Sequence, residues 1–187
     1  MAEPTARTFL ITGGVRSGKS WYAEQLAATF GRPVTYLATG PRPDADDPEW
    51  AARVADHQMR RPAGWTTIET LDLAPNLRSA PGAVLIDCFG TWVTAVIDEL
   101  SGWDAPLADW QRDFDDRLTA VIDAWQACER PIIAVSNEVG WGVVPAYRSG
   151  RVFADLLGDV NRRIAAISDR LVLMVAGRPV IIPAADQ

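Results

Sequence analysis

A glycine-rich segment near the N-terminus, GGVRSGKS, has the residue types and spacing of a phosphate-binding loop. It matches the pattern G-x-x-x-x-G-K-[S/T] and comes after a short apolar run at residues 9–11. In such a loop backbone N–H groups point at phosphate oxygens, the lysine reaches the β- and γ-phosphates, and the hydroxyl binds Mg²⁺. We therefore predict that the chain binds a nucleoside triphosphate, with Lys19 as a catalytic residue and Ser20 as a metal ligand. The predicted phosphate-binding residues are Gly13, Gly14, Val15, Arg16, Ser17, Gly18, Lys19 and Ser20.

One acidic residue, Asp87, comes directly after a second apolar run at residues 83–86. A phosphate loop normally works with a carboxylate at the end of a neighbouring buried strand, which holds Mg²⁺ directly or through water. Asp87 is therefore a candidate metal ligand together with Ser20. The same position also fits the N-terminal cap of a following helix.

The single histidine of the chain, His57, lies in the segment ADHQMRRPAGW. An unprotonated imidazole is a nucleophile near neutral pH. Arg60 and Arg61 follow within one helical turn, and guanidinium groups there can hold phosphate oxygens. His57 is thus a candidate for nucleophilic attack on phosphorus. A lone histidine on a polar segment is also typical of a solvated surface residue, and the residues alone leave both interpretations open.

Short apolar runs alternate with segments of helical length, and this alternation predicts an α/β fold. Buried parallel strands are indicated by the runs at residues 8–12, 34–38, 83–87, 132–136 and 171–175. A closing C-terminal β-hairpin is indicated at residues 177–182, and helices at 20–30, 49–57, 107–128 and 151–168. We predict a three-layer α/β/α fold of the P-loop NTPase type, RecA-like, with a mostly parallel sheet and a single domain over residues 1–187. The phosphate loop and Asp87 then lie at the carboxyl edge of the sheet.

Residues 41–62 depart from this alternation. They include Pro43 and Asp44 in a proline-containing, acidic stretch before the short helix. Long excursions from a compact α/β core are more often functional loops than plain connections. Because this one contains His57, we expect it to contribute to the site.

The composition is that of a globular protein, with 187 residues, 48% hydrophobic and 22% charged, and a net charge of −6. The acidic balance and the lack of a basic stripe argue against a nucleic-acid partner. No run approaches the roughly 20 apolar residues that span a bilayer, and the first residues do not resemble a signal peptide. We expect a cytoplasmic protein in which Cys88 and Cys128 are buried and reduced, with a disulfide as the alternative.

Seven segments, in order along nearly the whole chain, carry a resemblance to a known family. They are LITGGVRSGKSWYAE, VTYLATG, AARVADHQMRRPAGWTTIET, VLIDCFGTWVT, VSNEVGWGVVP, RVFADLLGDVNRRIA and LVLMVAGRPVII. The patterns H-x-x-x-R-P-A-x-W and N-E-V-G-x-G-V-V-P are far more specific than the phosphate loop. Together the segments resemble the bifunctional adenosylcobinamide kinase/adenosylcobinamide-phosphate guanylyltransferase family of cobalamin biosynthesis.

The resemblance implies two reactions in one site. The γ-phosphate of ATP or GTP is transferred to adenosylcobinamide, and GMP from GTP is then placed on adenosylcobinamide phosphate through a covalent guanylyl group on His57. It also implies Mg²⁺ and a homotrimer with active sites at the subunit interfaces. The nucleotide contacts that it implies outside the phosphate loop are Ala38, Thr39, Gly40, Gln58, Met59, Arg60, Arg61, Glu69 and Asp87.

The segment SNEVGWGVVPAYRSGR places Asn137 and Glu138 after a buried strand, and the family pattern implies a site wall or a subunit contact there. Trp141 fits either a corrinoid contact or an interface. The resemblance is incomplete at two positions, because the family usually has threonine and asparagine where this chain has Gly90 and Ala95. We expect those differences to affect corrinoid or subunit contacts rather than activity.

Two other hypotheses fit parts of the sequence. A simple P-loop kinase of a small metabolite or nucleoside explains the phosphate loop and Asp87, but it leaves the His57 segment unused. A RecA-like ATPase or nucleic-acid-binding module explains the same residues, and the acidic charge counts against it.

Overall fold

The computed structural model describes residues 6–31, 33–42 and 46–183, and these ranges build one seven-stranded sheet. The strands are β1 (Thr8–Gly13), β2 (Val34–Ala38), β3 (Thr66–Glu69), β4 (Ala83–Asp87), β5 (Ile132–Val135), β6 (Arg170–Val175) and β7 (Arg178–Pro183). The α-helices are α1 (Lys19–Thr29), α2 (Pro48–Arg60), α3 (Leu73–Ser79), α4 (Phe89–Glu99), α5 (Gln111–Gln126) and α6 (Arg148–Ala166), and a short 3₁₀ turn covers Leu107–Asp109.

The strands lie side by side in the order β3-β2-β4-β5-β1-β6-β7, and all pairs are parallel except β6 with β7. Leu10 and Ile11 are neighbours on β1 but belong to different apolar cores, because successive strand residues point to opposite faces. One core packs against α1 through Ala23, and the other packs against α4 and α5 through residues such as Trp92. The predicted three-layer α/β/α fold with a mostly parallel sheet is confirmed.

The predicted C-terminal hairpin is also confirmed, with β6 and β7 paired antiparallel from Arg170–Pro183 to Val175–Arg178. Its two turn residues, Ala176 and Gly177, have φ of 49° and 79°. Positive φ at both central residues is the geometry of a type I′ turn, which matches the right-handed twist of the paired strands. The turn also reaches the phosphate loop, because the Gly177 N–H donates to the Ser17 carbonyl at 3.0 Å.

The strands predicted from apolar runs agree with the structure within a residue or two, but four other elements differ. The helix predicted at 107–128 is divided at Trp110, whose buried ring occupies the space beside Gly102, and α5 begins only at Gln111. Strand β3 and helices α3 and α4 were not predicted. In β3 only Ile68 is apolar, and an exposed edge strand of this kind lacks a hydrophobic signal.

The region around residues 41–62 is mainly helical, since α2 continues through Arg60 rather than ending at His57. The Asp47 carboxylate caps α2 by accepting the Trp50 N–H at 2.9 Å, and Pro48 occupies the first turn. Pro43 and Asp44 lie outside the described residues. Among the helices within the described ranges, none combines the length and apolar character needed to cross a membrane.

The thiols of Cys88 and Cys128 are free, as predicted, but each residue is only half-buried.

Candidate active site

The phosphate loop connects β1 to α1 in a tight backbone curl. A Cβ on Gly13 would stand 2.7 Å from Ser17 Oγ and 2.8 Å from the Met174 carbonyl oxygen, so only glycine fits there. Gly18 has φ +89° and precedes α1, which begins at Lys19. The helix N-terminus therefore faces the space above the loop, where its unpaired N–H groups favour a phosphate.

Lys19 is largely buried at the base of this loop, with 9% of its surface exposed. Its ammonium donates to the Gly14 carbonyl oxygen at 3.1 Å. Burial lowers the pKa of Lys19, while the nearby Cys88 and Asp87 oppose that shift. The side chain is thus held inside the site in the position expected of a phosphate-binding lysine.

Asp87 ends β4 and is the centre of a small polar network. The Tyr36 hydroxyl donates to its Oδ2 at 2.6 Å, and the Ser20 hydroxyl donates to its Oδ1 at 3.4 Å. Burial alone would raise the pKa of Asp87, but hydrogen bonds from His57, Tyr36 and Ser20 outweigh it and hold that pKa below its ordinary value. The helix-cap interpretation is wrong, because α4 begins at Phe89 with Cys88 as its cap residue.

His57 lies close to this carboxylate. Its Nδ1 is 3.4 Å from Asp87 Oδ2, and about a third of its side chain is exposed. The two residues lie far apart in the sequence and meet because α2 passes over the carboxyl end of β4. His57 is therefore not a solvated surface residue but part of the same site as the phosphate loop.

The two arginines that follow His57 have different environments. Arg60 donates from Nε and Nη2 to the two carboxylate oxygens of Glu24 at 3.0 and 3.1 Å, and this bond raises the pKa of Arg60. The guanidinium carbon of Arg61 lies 3.5 Å from the centre of the Tyr36 ring, and Arg61 Nη1 donates to Thr67 Oγ1 at 3.2 Å. Both arginines line the cleft, but each already has a protein partner.

These side chains surround a cleft of about 600 Å³. The predicted site residues that line it are Val15, Arg16, Ser17, Gly18, Lys19, Ser20, Ala38, Gly40, His57, Gln58, Arg60, Arg61, Glu69 and Asp87.

Four predicted contacts are not brought to the cleft wall. Gly13 is buried and Gly14 is exposed, and neither lines the cleft. Thr39 is buried, and its hydroxyl donates to the Cys88 carbonyl oxygen at 2.7 Å. Met59 points away, with 76% of its surface exposed. Their assignment as nucleotide contacts stays a prediction, which for Gly13 and Gly14 concerns the backbone.

Glu69 lies at the outer rim of the cleft. It ends β3 and accepts from Arg42 Nε at 2.9 Å, and both side chains are well exposed. Asn137 closes another side, 3.6 Å from the Cys88 thiol, and Asn161 donates to its carbonyl oxygen at 3.0 Å. Glu69 and Asn137 therefore bound the cleft at the carboxyl ends of two different strands, β3 and β5.

Sequence reasoning missed several residues of the cleft. Tyr36 is 1% exposed, and its pKa is raised well above the ordinary value by burial and by Asp87. Within an apolar strand a tyrosine has no signal that separates a site residue from a core residue. Trp50 packs its ring against Gly40, where a Cβ would lie 2.7 Å from the ring, and no local pattern marks it as a site residue.

Beyond the cleft, the segment after β5 is exposed. Val139, Trp141, Val143, Val144 and Tyr147 present large apolar side chains to solvent. The role of Trp141 in a corrinoid contact or a subunit interface stays a prediction.

Comparison with known proteins adds sequence relatives over almost the entire chain. Residues 9–182 match the family described as cobinamide kinase / cobinamide phosphate guanyltransferase. The bifunctional adenosylcobalamin biosynthesis protein CobU of Salmonella typhimurium is 40% identical over 181 residues, which cover 90% of this chain and 95% of that protein. CobP of Pseudomonas aeruginosa is 40% identical over 174 residues, covering 91% and 94%, and CobU of Escherichia coli is 35% identical over 182 residues, covering 90% and 95%.

Among solved structures, an ATPase from a bacterial type III secretion system superposes with a TM-score of 0.57 at 14% identity. The match covers 90% of this chain and 51% of that one. It shows that the fold is that of P-loop NTPases, as the sequence predicted.

Proposed function

The chain belongs to the cobinamide kinase / cobinamide phosphate guanyltransferase family, and from that premise we propose how one cleft serves both reactions. In the first, the γ-phosphate of ATP or GTP is transferred to the hydroxyl of adenosylcobinamide. In the second, GMP from GTP is transferred to adenosylcobinamide phosphate through a covalent guanylyl group on His57, giving adenosylcobinamide-GDP and pyrophosphate. A simple metabolite kinase and a nucleic-acid motor each leave the second half of the family's activity unexplained.

The observation that carries the proposal is the proximity of His57 to Asp87 at the phosphate loop. The carboxylate accepts from Nδ1 when the imidazole proton is on that atom, and this leaves the lone pair on Nε2 free for attack. Asp87 also stabilises the positive charge that the imidazole gains once Nε2 is bonded to phosphorus. A histidine without such a partner would be a poorer nucleophile.

In the proposed guanylylation Nε2 of His57 forms a bond to the α-phosphorus of GTP. The bond from that phosphorus to the α,β-bridging oxygen breaks, and pyrophosphate leaves with the electron pair. The phosphate of adenosylcobinamide phosphate then attacks the same phosphorus, and the His57–phosphorus bond breaks. Lys19 and the backbone N–H groups of the loop support the departing pyrophosphate.

In the proposed kinase step Lys19 contacts the β- and γ-phosphates while the loop N–H groups hold the triphosphate in line. Ser20 Oγ and Asp87 Oδ1 are 3.4 Å apart, and a hydroxyl with one carboxylate is a donor set that suits Mg²⁺ beside phosphate oxygens. Within the described residues no cluster of three or more His, Cys, Asp or Glu side chains offers another metal site. When bound there, Mg²⁺ would neutralise charge on the phosphates.

The remaining features are proposals of the same kind. We propose a homotrimer in which the exposed apolar segment with Trp141, Val143 and Val144 contributes to contacts between subunits. The 187 residues act as a single nucleotide-binding domain in the cytoplasm, where the nucleotides are available, and without a nucleic-acid partner. Light scattering on the purified protein measures the oligomeric state directly.

The chain offers a sharp test because it has only one histidine. Tag-free protein is incubated with GTP labelled at either the α- or the γ-phosphate, denatured, and analysed for protein-bound label. We expect label from the α-phosphate only, stable to base and lost in acid, and none on His57→Asn. A His57→Asn variant that labels as well as the wild type would contradict the mechanism.

The same variant separates the two reactions. His57→Asn should still transfer label from the γ-phosphate to adenosylcobinamide, since the kinase step does not use the imidazole as nucleophile. Loss of both reactions in a variant that remains folded would mean that His57 has another role.

A further inference from the structure

Helix α2 carries the nucleophile, but it has no apolar anchor in the protein core. None of its residues from Pro48 to Arg60 is buried. Its position over the sheet therefore depends on individual side-chain contacts. At its C-terminal end these are His57 with Asp87, Arg60 with Glu24, and Arg61 with Tyr36.

Glu24 is unusual among these partners because it is a buried carboxylate that does not line the cleft. It lies on α1, one helical turn after Ser20, with 3% of its surface exposed. Both of its oxygens are bound by Arg60, through Nε at 3.0 Å and Nη2 at 3.1 Å. A two-pronged guanidinium–carboxylate pair fixes orientation as well as distance, which a single ionic contact does not.

The pair connects the two helices on which the chemistry depends. His57 and Arg60 are three residues apart on α2, and Ser20 and Glu24 are four residues apart on α1, so each two residues share a helix face. Fixing Arg60 on Glu24 therefore fixes His57 relative to the phosphate loop. Attack on the α-phosphorus requires that separation to be correct within a fraction of an ångström.

We propose that Glu24 and Arg60 are a positioning pair for the guanylyl transfer, and that Arg60 acts through Glu24 rather than as a phosphate ligand. The inference rests on the proposed role of His57 as the residue that takes GMP. In the γ-phosphate transfer the nucleophile is the hydroxyl of adenosylcobinamide and not a residue of α2. The Glu24–Arg60 pair therefore acts mainly on the guanylyl transfer. Glu24 is the informative member, since its removal takes no nucleotide contact away from the cleft.

The test measures single-turnover labelling of His57 by α-labelled GTP in Glu24→Ala, Arg60→Ala and the double variant. We expect each single variant to label about 10- to 100-fold more slowly, because a misplacement of 1 Å costs about that much. The double variant should be no slower than the slower single variant, as residues acting through one another are not additive. In Glu24→Ala, which changes no residue of the cleft wall, the GTP concentration for half-maximal labelling and the rate of γ-phosphate transfer should stay close to wild-type values.

Conservative variants and a matched control complete the design. Arg60→Lys and Glu24→Gln each keep one hydrogen bond and should label at rates between those of the alanine variants and the wild type. Glu49→Gln removes the exposed ion pair of Glu49 with Arg53 on the same helix and should label at the wild-type rate. Thermal unfolding of every variant establishes that the protein measured is folded.

Several results would overturn the inference. Labelling of Glu24→Ala at the wild-type rate would contradict the inference. Equal loss of both reactions with a lower melting temperature would indicate a structural role only. A wild-type rate in Glu24→Ala combined with a raised GTP requirement in Arg60→Ala would make Arg60 a nucleotide ligand. Absence of label on the wild type would instead refute the role of His57, and the positioning role with it.

Discussion

Replacing Tyr36 with phenylalanine removes one hydroxyl from the site and keeps the ring. The hydroxyl donates to Asp87 Oδ2 at 2.6 Å, and the ring is 1% exposed with Arg61 against its face. Because the packing and the arginine contact remain, Tyr36→Phe tests a single hydrogen bond to a buried carboxylate.

The size of the effect follows from the charge of the acceptor. A hydrogen bond to a charged group contributes about 1.5–3 kcal/mol. The free energy of unfolding should fall by that amount, and the melting temperature by about 3–12 °C for a chain of this length. Chemical denaturation with urea, monitored by tryptophan fluorescence, measures the change as a shift in midpoint at constant slope.

Tyr22→Phe is the matched control. Tyr22 packs partly against the same apolar core, and its hydroxyl has no hydrogen-bond partner within the described ranges. Its replacement should change the free energy of unfolding by less than about 0.5 kcal/mol. Equal stability of Tyr36→Phe and wild type, or equal losses in the two variants, would refute the assignment of this bond as a stabilising contact.

Three more predictions follow from other contacts. Lys19→Met should lower the rate of γ-phosphate transfer by about 10²–10³-fold while the protein stays folded, and an unchanged rate would exclude Lys19 from the transfer. Asp169 accepts the Arg7 and Thr8 N–H groups at 2.7 and 2.9 Å, and although partial burial alone raises its pKa, these bonds hold it below the ordinary value. A depressed pKa gives stability that is present at neutral pH and lost as pH falls through the folded-state pKa. Asp169→Asn should therefore lower the free energy of unfolding by about 0.5–1 kcal/mol at pH 7. Urea titrations should show this difference between variant and wild type shrinking below about pH 4. Ala176→Asn should raise the unfolding free energy by about 0.5–1 kcal/mol in the same assay, since asparagine tolerates the positive φ better than alanine; a decrease would contradict that account.

The strands that form the middle of the sheet could be predicted because each is buried on both faces. Residues 83–86 form a continuous apolar run, and Val34–Ala38 is apolar except for Thr35, so both strands are indicated directly by the sequence. Edge strand β3 has no such run and depends on pairing with β2. Helix α4 begins FGTWV and contains many β-branched residues, which favour a strand over a helix. It is helical because Trp92 and Val96 pack in the core.

Site residues could be predicted where a local sequence pattern indicates their chemistry. They could not be predicted where their role depends on tertiary contacts. The phosphate loop and Asp87 each have a sequence context of their own. Glu24 does not, because a glutamate on a helix is ordinarily solvated, and its burial appears only when α2 brings Arg60 to it. The role of Tyr36 is hidden in the same way, since its partner Asp87 lies on a different strand.

The hydrogen bond from the hairpin turn to the phosphate loop has a consequence for how the protein is made. The loop follows β1 directly in the sequence, but β1 pairs with β5 and β6, which begin at Ile132 and Arg170. The Ser17 carbonyl meets the Gly177 N–H only after the segment that contains Gly177 has been synthesised. The predicted phosphate loop therefore gains this contact only after distant parts of the sequence have come together, so its final geometry depends on the C-terminal hairpin.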